Sequence, residues 1–199
     1  MKIQKFVLGP IQTNCYLIHN AKEAILIDCG GHEEIILKYL ENNKLKLKYI
    51  LLSHGHFDHI VINKIKEKTK AKVGMHERDR IMPVNILAGK IKPIITDFEL
   101  KENQIVNLGS IKIKVLETPG HSPGSCSFYI ESNKTLFSGD TLFKSAIGRT
   151  DIPGGNYDRL MKSIKEKILA LPPETKIYPG HGSETTIAYE KQRFTQRFF

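Results

Sequence analysis

Ser53-His54-Gly55-His56-Phe57-Asp58-His59 places three imidazoles and a carboxylate within six positions. The residues before it, Lys48-Tyr49-Ile50-Leu51-Leu52, are apolar and β-prone. Those after it, Ile60-Val61-Ile62-Asn63-Lys64-Ile65-Lys66, mix apolar and basic side chains at roughly helical spacing. The stretch is therefore expected where a buried strand ends and a helix begins, a junction that is exposed yet firmly held. Histidine and aspartate are ligand types for zinc, iron and manganese. In an extended segment His54 and His56 point to one side. Once the chain turns helical, Asp58 and His59 point elsewhere, so one segment can serve two metal positions. The plain alternative is a set of surface histidines on a loop.

The same construction recurs: a strand, a glycine, then a residue that can bind a metal. Ile113-Lys114-Val115-Leu116-Glu117 leads through Thr118-Pro119-Gly120 to His121. Thr135-Leu136-Phe137-Ser138-Gly139 leads to Asp140, and Thr175-Lys176-Ile177-Tyr178-Pro179-Gly180 leads to His181. Glycine accepts backbone geometry other residues resist, which lets loops crowd around an ion. His19, His32 and His76 lack this setting and are read as surface or internally satisfied histidines.

Strands are expected at residues 2–8, 14–18, 23–28, 47–52, 71–75, 104–107, 111–117, 125–131, 134–138 and 175–178. Helices are expected at 32–42, from the histidine stretch to about 70, at 76–82, 156–170 and 183–195. Residues 83–96 are apolar but irregular, and are read as bordering a substrate entrance or a subunit contact, against an ordinary packed loop. Strands followed by a helix, twice over, suggest two αβ halves in a single domain over 1–199, with two sheets face to face and helices outside.

Of 199 residues, 40% are hydrophobic, enough for a substantial core. The net charge of +9 comes from 30 basic and 21 acidic residues. The lysines interleave with glutamates on helix faces rather than forming an arginine cluster or an aromatic-interleaved stripe, which argues against nucleic acid. The excess charge favours encounter with small anionic substrates. Cys15, Cys29 and Cys126 are too sparse for a disulfide framework and read as small buried hydrophobes, with Cys29 notable for following Asp28 at a strand end. With no signal peptide and no membrane-length apolar run, the expectation is a soluble, cytoplasmic protein without membrane contact.

The motifs His54-Gly55-His56-Phe57-Asp58-His59, Pro119-Gly120-His121-Ser122, Ser138-Gly139-Asp140-Thr141-Leu142-Phe143, Gly148-Arg149-Thr150-Asp151 and Pro179-Gly180-His181-Gly182 resemble the metallo-β-lactamase superfamily. Within it they look like the short glyoxalase-II-like (hydroxyacylglutathione hydrolase-like) hydrolases. The resemblance spans almost the whole chain. It implies an α/β fold, a four-layer αβ/βα sandwich of two mixed sheets with outer helices and metals at one edge. It implies that His54, His56 and His121 hold a first metal, that Asp58, His59 and His181 hold a second, and that Asp140 bridges both. Asp28 takes a supporting role. The cofactors implied are two divalent ions about 3.5–4 Å apart, zinc foremost, with iron or manganese as alternatives. The implied activity is attack of metal-bound hydroxide on a small anionic thioester such as S-lactoylglutathione, with Asp58 orienting the water and Arg149 meeting an anionic group of the substrate. A mononuclear-iron persulfide dioxygenase using His54, His121 and Asp140, a lactone or β-lactam hydrolase, and a binding module with structural metals are the other readings. The chain departs from the family in three places. Val61-Ile62 stand where small residues are usual, and Gly148-Arg149-Thr150-Asp151 replaces a Gly-Lys-Phe-Tyr segment. The helical domain that gives longer glyoxalase II its glutathione contacts is expected to be missing after His181.

Overall fold

The structure, a computed structural model, describes residues 1–80 and 95–198. The apolar 83–96 stretch thus lies outside the described residues except for its last two positions. The first sheet runs in sequence order through β1 (Lys2–Leu8), β2 (Thr13–His19), β3 (Glu23–Ile27), β4 (Lys46–Leu51), β5 (Lys72–Met75) and β6 (Phe98–Glu99). β1, β2 and β3 are antiparallel neighbours, whereas β3 through β6 are parallel. Parallel neighbours need crossover connections, and α1 (Glu33–Asn42) and α2 (Asn63–Thr69) provide the first two, with α3 (Glu77–Arg80) after β5. The second sheet contains β7 (Ile105–Leu108), β8 (Ile111–Glu117), β9 (Cys126–Ile130), β10 (Thr135–Gly139), β13 (Lys176–Pro179) and β14 (Thr185–Thr186), in that spatial order. Its neighbours are antiparallel except β10 and β13. Between these two lie the hairpin β11 (Leu142–Phe143) and β12 (Ala146–Ile147), then α4 (Tyr157–Ser163), which continues as a wider π-type turn over Ile164–Ile168. α5 (Ile187–Phe198) ends the described chain.

Period-two alternation sets the layers. Tyr16, Ile18, Ile25 and Ile27 of the first sheet meet Ile113, Val115, Phe128 and Phe137 of the second in one buried layer. Leu17 and Leu26 face the other way, onto Ile36 and Leu40 of α1 and Ile65 of α2. Leu136 and Ile177 cover the outer face of the second sheet together with Leu160, Ile164 and Ile168. The result is helix, sheet, sheet, helix. Each such side chain contributes roughly 1.5–3 kcal/mol on burial, whereas an exposed ion pair gives about 0–1 kcal/mol. The apolar layers, not the surface lysine pairs, therefore hold the sheets together.

Several elements differ from the expectation. The helix after the histidine stretch begins at Asn63 rather than Ile60, because Ile60 bridges Cys29 and Val61 N–H donates to Cys29 O. The last helix begins at Ile187 rather than 183, because Thr185 and Thr186 first pair with Ile177 and Lys176. The strands at 98–99, 142–143 and 146–147 are two residues long, too short for periodicity to register. All three cysteines are free and buried. Among the described residues no helix is long and apolar enough to cross a membrane.

β3 and β4 run parallel, and so do β10 and β13; β8, two antiparallel steps from β10, shares its direction. The C-terminal ends of these strands thus gather at one end of each sheet. Cys126 N–H donates to Ser53 O, and Asn14 N–H to Gly180 O, fastening the two sheets together there.

Candidate metal centre

Each strand end delivers one part of the site. Beyond β4 the rings of His54 and His56 lie edge to face with centroids 4.6 Å apart. The turn Phe57-Asp58-His59, closed by His59 N–H to His56 O at 3.0 Å, brings the His59 ring to 4.2 Å from His54. After β8, His121 arrives from the opposite sheet, its ring 4.9 Å from His54 and 4.5 Å from His56. The parallel pairing of β10 with β13 continues into Gly180 N–H donating to Gly139 O, which sets Asp140 beside His181.

The side chains form two groups. In each of His54/His56/His121 and Asp58/His59/His181, one ligand atom per residue lies within 4.8 Å of the others. Asp140 stands between them. Its Oδ2 is 3.6 Å from His121 Nε2 and 3.5 Å from His181 Nε2, and its Oδ1 is 3.4 Å from His59 Nε2. Asp28, His54 and His59 meet the same distance criterion, but the Asp28 carboxylate is already engaged. Its Oδ1 accepts from Ser53 N–H at 2.7 Å; its Oδ2 accepts from Ser53 Oγ at 2.6 Å and from His59 Nδ1 at 2.9 Å. Asp28 therefore works from behind the rings.

Those rear contacts decide which nitrogen faces the centre. His59 Nδ1 donates to Asp28, His54 Nδ1 to Ser53 Oγ at 3.0 Å, and His121 Nδ1 to Arg149 O at 2.8 Å. In the neutral rings this turns each Nε2 lone pair inward, although on His59 a proton competes for it. Among the described residues, His54 Nε2, His121 Nε2 and Asp140 Oδ1 are buried without a hydrogen-bond partner. Native proteins rarely leave such atoms unsatisfied. His59 Nε2 and His181 Nε2 face each other at 3.1 Å; two nitrogens about 2.1 Å from one tetrahedral ion would be separated by roughly 3.4 Å. Inward lone pairs on imidazoles, with carboxylates between, fit divalent first-row ions.

The two groups titrate differently in the absence of a metal. Burial pushes His54 well below the ordinary imidazole value, burial and the neighbouring His121 take His56 down to about 4, and burial also lowers His121. In the second group burial acts against the charged forms but loses. Asp140 and Asp28 hold His59 well above its ordinary value, and hydrogen bonds to Asp140 and Asp58 raise His181 to about 9. Burial likewise opposes ionisation of Asp58 and Asp140, yet His181 and His59 keep both below the usual carboxylate range.

Residues 8–181 match the family described as the Metallo-beta-lactamase superfamily. The chain belongs to this superfamily. A hydroxyacylglutathione hydrolase, GloC, of Haemophilus influenzae is 34% identical over 203 residues, 96% of each chain. Among solved structures, BLEG-1 B3 metallo-beta-lactamase shares 39% identity at a TM-score of 0.87, covering 96% of this chain and 97% of its own. TTHA1623 in a di-iron-bound form shares 35% identity at a TM-score of 0.86, covering 96% and 98%. As a metallo-β-lactamase superfamily member with hydrolase-named relatives, the chain is a metallohydrolase whose histidine and aspartate clusters suit divalent metals.

All seven superfamily-motif residues named from the sequence converge on this centre, and Asp28 lies directly behind it. Arg149 reaches it by its backbone: its carbonyl orients His121, while its exposed guanidinium makes a two-point pair with Asp151 at 3.0 and 2.9 Å. His19 and His76 are buried and hydrogen-bonded, and His32 is exposed. Sequence reasoning gave no role to Ser53, Thr13 or Asp79. Ser53 relays between Asp28 and His54, and Thr13 Oγ donates to Asp58 Oδ2 at 3.3 Å. Ser53 does sit beside His54 in the quoted stretch, which was the available signal; Thr13 and Asp79 carry no pattern of their own.

Proposed function

We propose that this protein is a dinuclear metallohydrolase that cleaves a small anionic thioester, S-lactoylglutathione being the substrate of first choice. The observation that carries the reading is the position of Asp140 within 3.6 Å of ligand nitrogens from both groups, which suits a carboxylate shared by two ions. The GloC relative, matched over 96% of both chains, supports the substrate class. Two divalent ions so held would supply Lewis acidity toward a carbonyl oxygen and would lower the pKa of a bound water toward neutrality.

The chain's own residues do the rest. His54, His56 and His121 form one cradle, and Asp58, His59 and His181 the other, with Asp140 common to both. Asp58, kept ionised by His181 and steadied by Thr13 Oγ, is assigned to orient the attacking water. Arg149 is assigned to an anionic group on the leaving thiol, exchanging its exposed pairing with Asp151 for the substrate. The net charge of +9 favours the encounter.

The test combines metal analysis after reconstitution with three turnover assays: thioester hydrolysis, hydrolysis of a chromogenic β-lactam, and oxygen uptake with a persulfide. The expected result is two ions per chain, with thioester cleavage that chelation removes and added metal restores. The 39% identity to BLEG-1 favours β-lactam hydrolysis as the second reading, and faster β-lactam than thioester turnover would establish it instead. One iron per chain, unchanged by excess metal and accompanied by sulfur-dependent oxygen consumption, would replace both.

A further inference from the structure

We infer that Asp79 is a positioning residue for the first metal position, clamping together the two loops that carry its three histidines. The inference rests on reading His54, His56 and His121 as metal ligands. Asp79, in α3, is 3% exposed. Its Oδ2 accepts from Gly55 N–H at 2.9 Å and from Ser122 Oγ at 2.5 Å, and its Oδ1 accepts from Gly124 N–H at 2.5 Å. Gly55 is the residue between His54 and His56, and Ser122 is the residue after His121. One carboxylate is thus bonded to the backbone between two ligands on one sheet and to the neighbour of the third ligand on the other.

The chain makes room for this contact. A Cβ at position 55 would come within 2.8 Å of Asp79 O, and one at position 124 within 2.7 Å of Asp79 Oδ1. Glycine in the middle of the histidine pair therefore serves the close approach of Asp79. Three hydrogen bonds converge on this one buried carboxylate. Ser122 Oγ also contacts Ser125 Oγ at 2.6 Å, which extends the clamp along the His121 loop. Among the described residues Asp79 makes no hydrogen bond or ion pair with the three imidazoles; its effect passes through the loops. Loss of such a supporting partner typically costs about 10–100-fold in metal affinity.

The experiment titrates the metal-free full chain with Co2+ and follows both affinity and the visible absorption bands. Asp79→Asn nearly preserves shape but puts an amide NH2 where a backbone N–H needs an acceptor; Ser122→Ala removes one donor. Each is placed in His181→Ala chain, to read the first position, and in His54→Ala chain, to read the second. Asp79→Asn is expected to weaken Co2+ at the first position by about 10–100-fold and shift its bands, with the second position much less affected. Ser122→Ala should act in the same direction and less strongly. Equal losses at both positions, or an unchanged first-position affinity and spectrum, would overturn the clamp, since a purely structural role predicts the former and no role predicts the latter. If Asp79→Asn does not fold, Ser122→Ala decides by the same selectivity. Failure of the metal assignment itself has a separate signature: His181→Ala chain that binds no Co2+, with wild-type binding indifferent to His54→Ala. That result sinks the clamp as well.

Discussion

The two ligand groups draw on the same residue types but are balanced in opposite ways. His54, His56 and His121 are three imidazoles kept neutral by burial; His54 and His121 are backed by a hydroxyl and a carbonyl, and their Nε2 atoms are buried without a partner. His59 and His181 are backed or faced by Asp28, Asp58 and Asp140, so a proton can take the place of an ion. The buried Nε2 atoms of His54 and His121 have no partner among the described residues and are open to a metal, whereas the second group can satisfy itself. Burial thus pre-forms one cradle for cations, while charge pairing makes the other a competition between metal and proton.

The largest expected effect comes from removing what the groups share. Asp140→Asn should keep the fold, weaken both positions and lower thioester turnover by at least about a hundredfold. Metal content, circular dichroism and turnover report on it together. Full metal with near-normal turnover would mean that the two groups do not share this carboxylate.

Acidity separates the groups next. His181 is raised from 6.5 to about 9 in the metal-free protein, so below pH 9 an ion must displace its proton. Affinity at the second position should rise at least about tenfold per pH unit from pH 7 toward 9, because His59 is also held above its ordinary value, with protons released into a weakly buffered indicator solution. His56, at about 4, is already neutral there, so loading of the first position should be flat over the same range. Equal proton release at both steps would abolish the contrast. The same raised pKa fixes the sign for the metal-free fold. Its pairing contributes fully below pH 6.5, and that stability is lost as pH climbs through about 9.

Asp28→Asn tests the ionic backing alone. An amide oxygen cannot take the three donors that Asp28 accepts, and second-position affinity should fall about 10–100-fold. A larger loss at the first position would show that the relay through Ser53 to His54 outweighs the direct bond to His59. The smallest effect belongs to Arg149→Ala. Its side chain is 71% exposed and pairs with Asp151, so stability should hold while KM for an anionic thioester rises by a few-fold. Unchanged KM removes Arg149 from substrate binding.

How much of this could be read in the sequence follows from range. The candidate ligands are legible because each follows a strand and a turn, a local pattern that survives without knowledge of tertiary contacts. The layered sheets were legible because residues such as Tyr16 and Leu17 alternate between the two buried faces of β2. The supports were not. Asp79 meets Gly55 and Gly124 across 24 and 45 positions, and no periodicity links such partners. Asp28 was named by resemblance, but its hold on Ser53 and His59 depends on strand pairing. The start of α2 slipped for the same reason, since Cys29 recruits Ile60 into a bridge that local helix propensity does not foresee.

The seam between the sheets has a consequence for how the protein can be divided. Everything up to residue 80 supplies His54, His56, Asp58 and His59; everything from residue 95 supplies His121, Asp140 and His181. Neither segment carries all seven candidate ligands, so on the proposed reading neither alone completes the centre. The candidate centre is written as two half-messages, legible only in juxtaposition, and an ion held at the seam would act as a rivet that records whether the halves are in register.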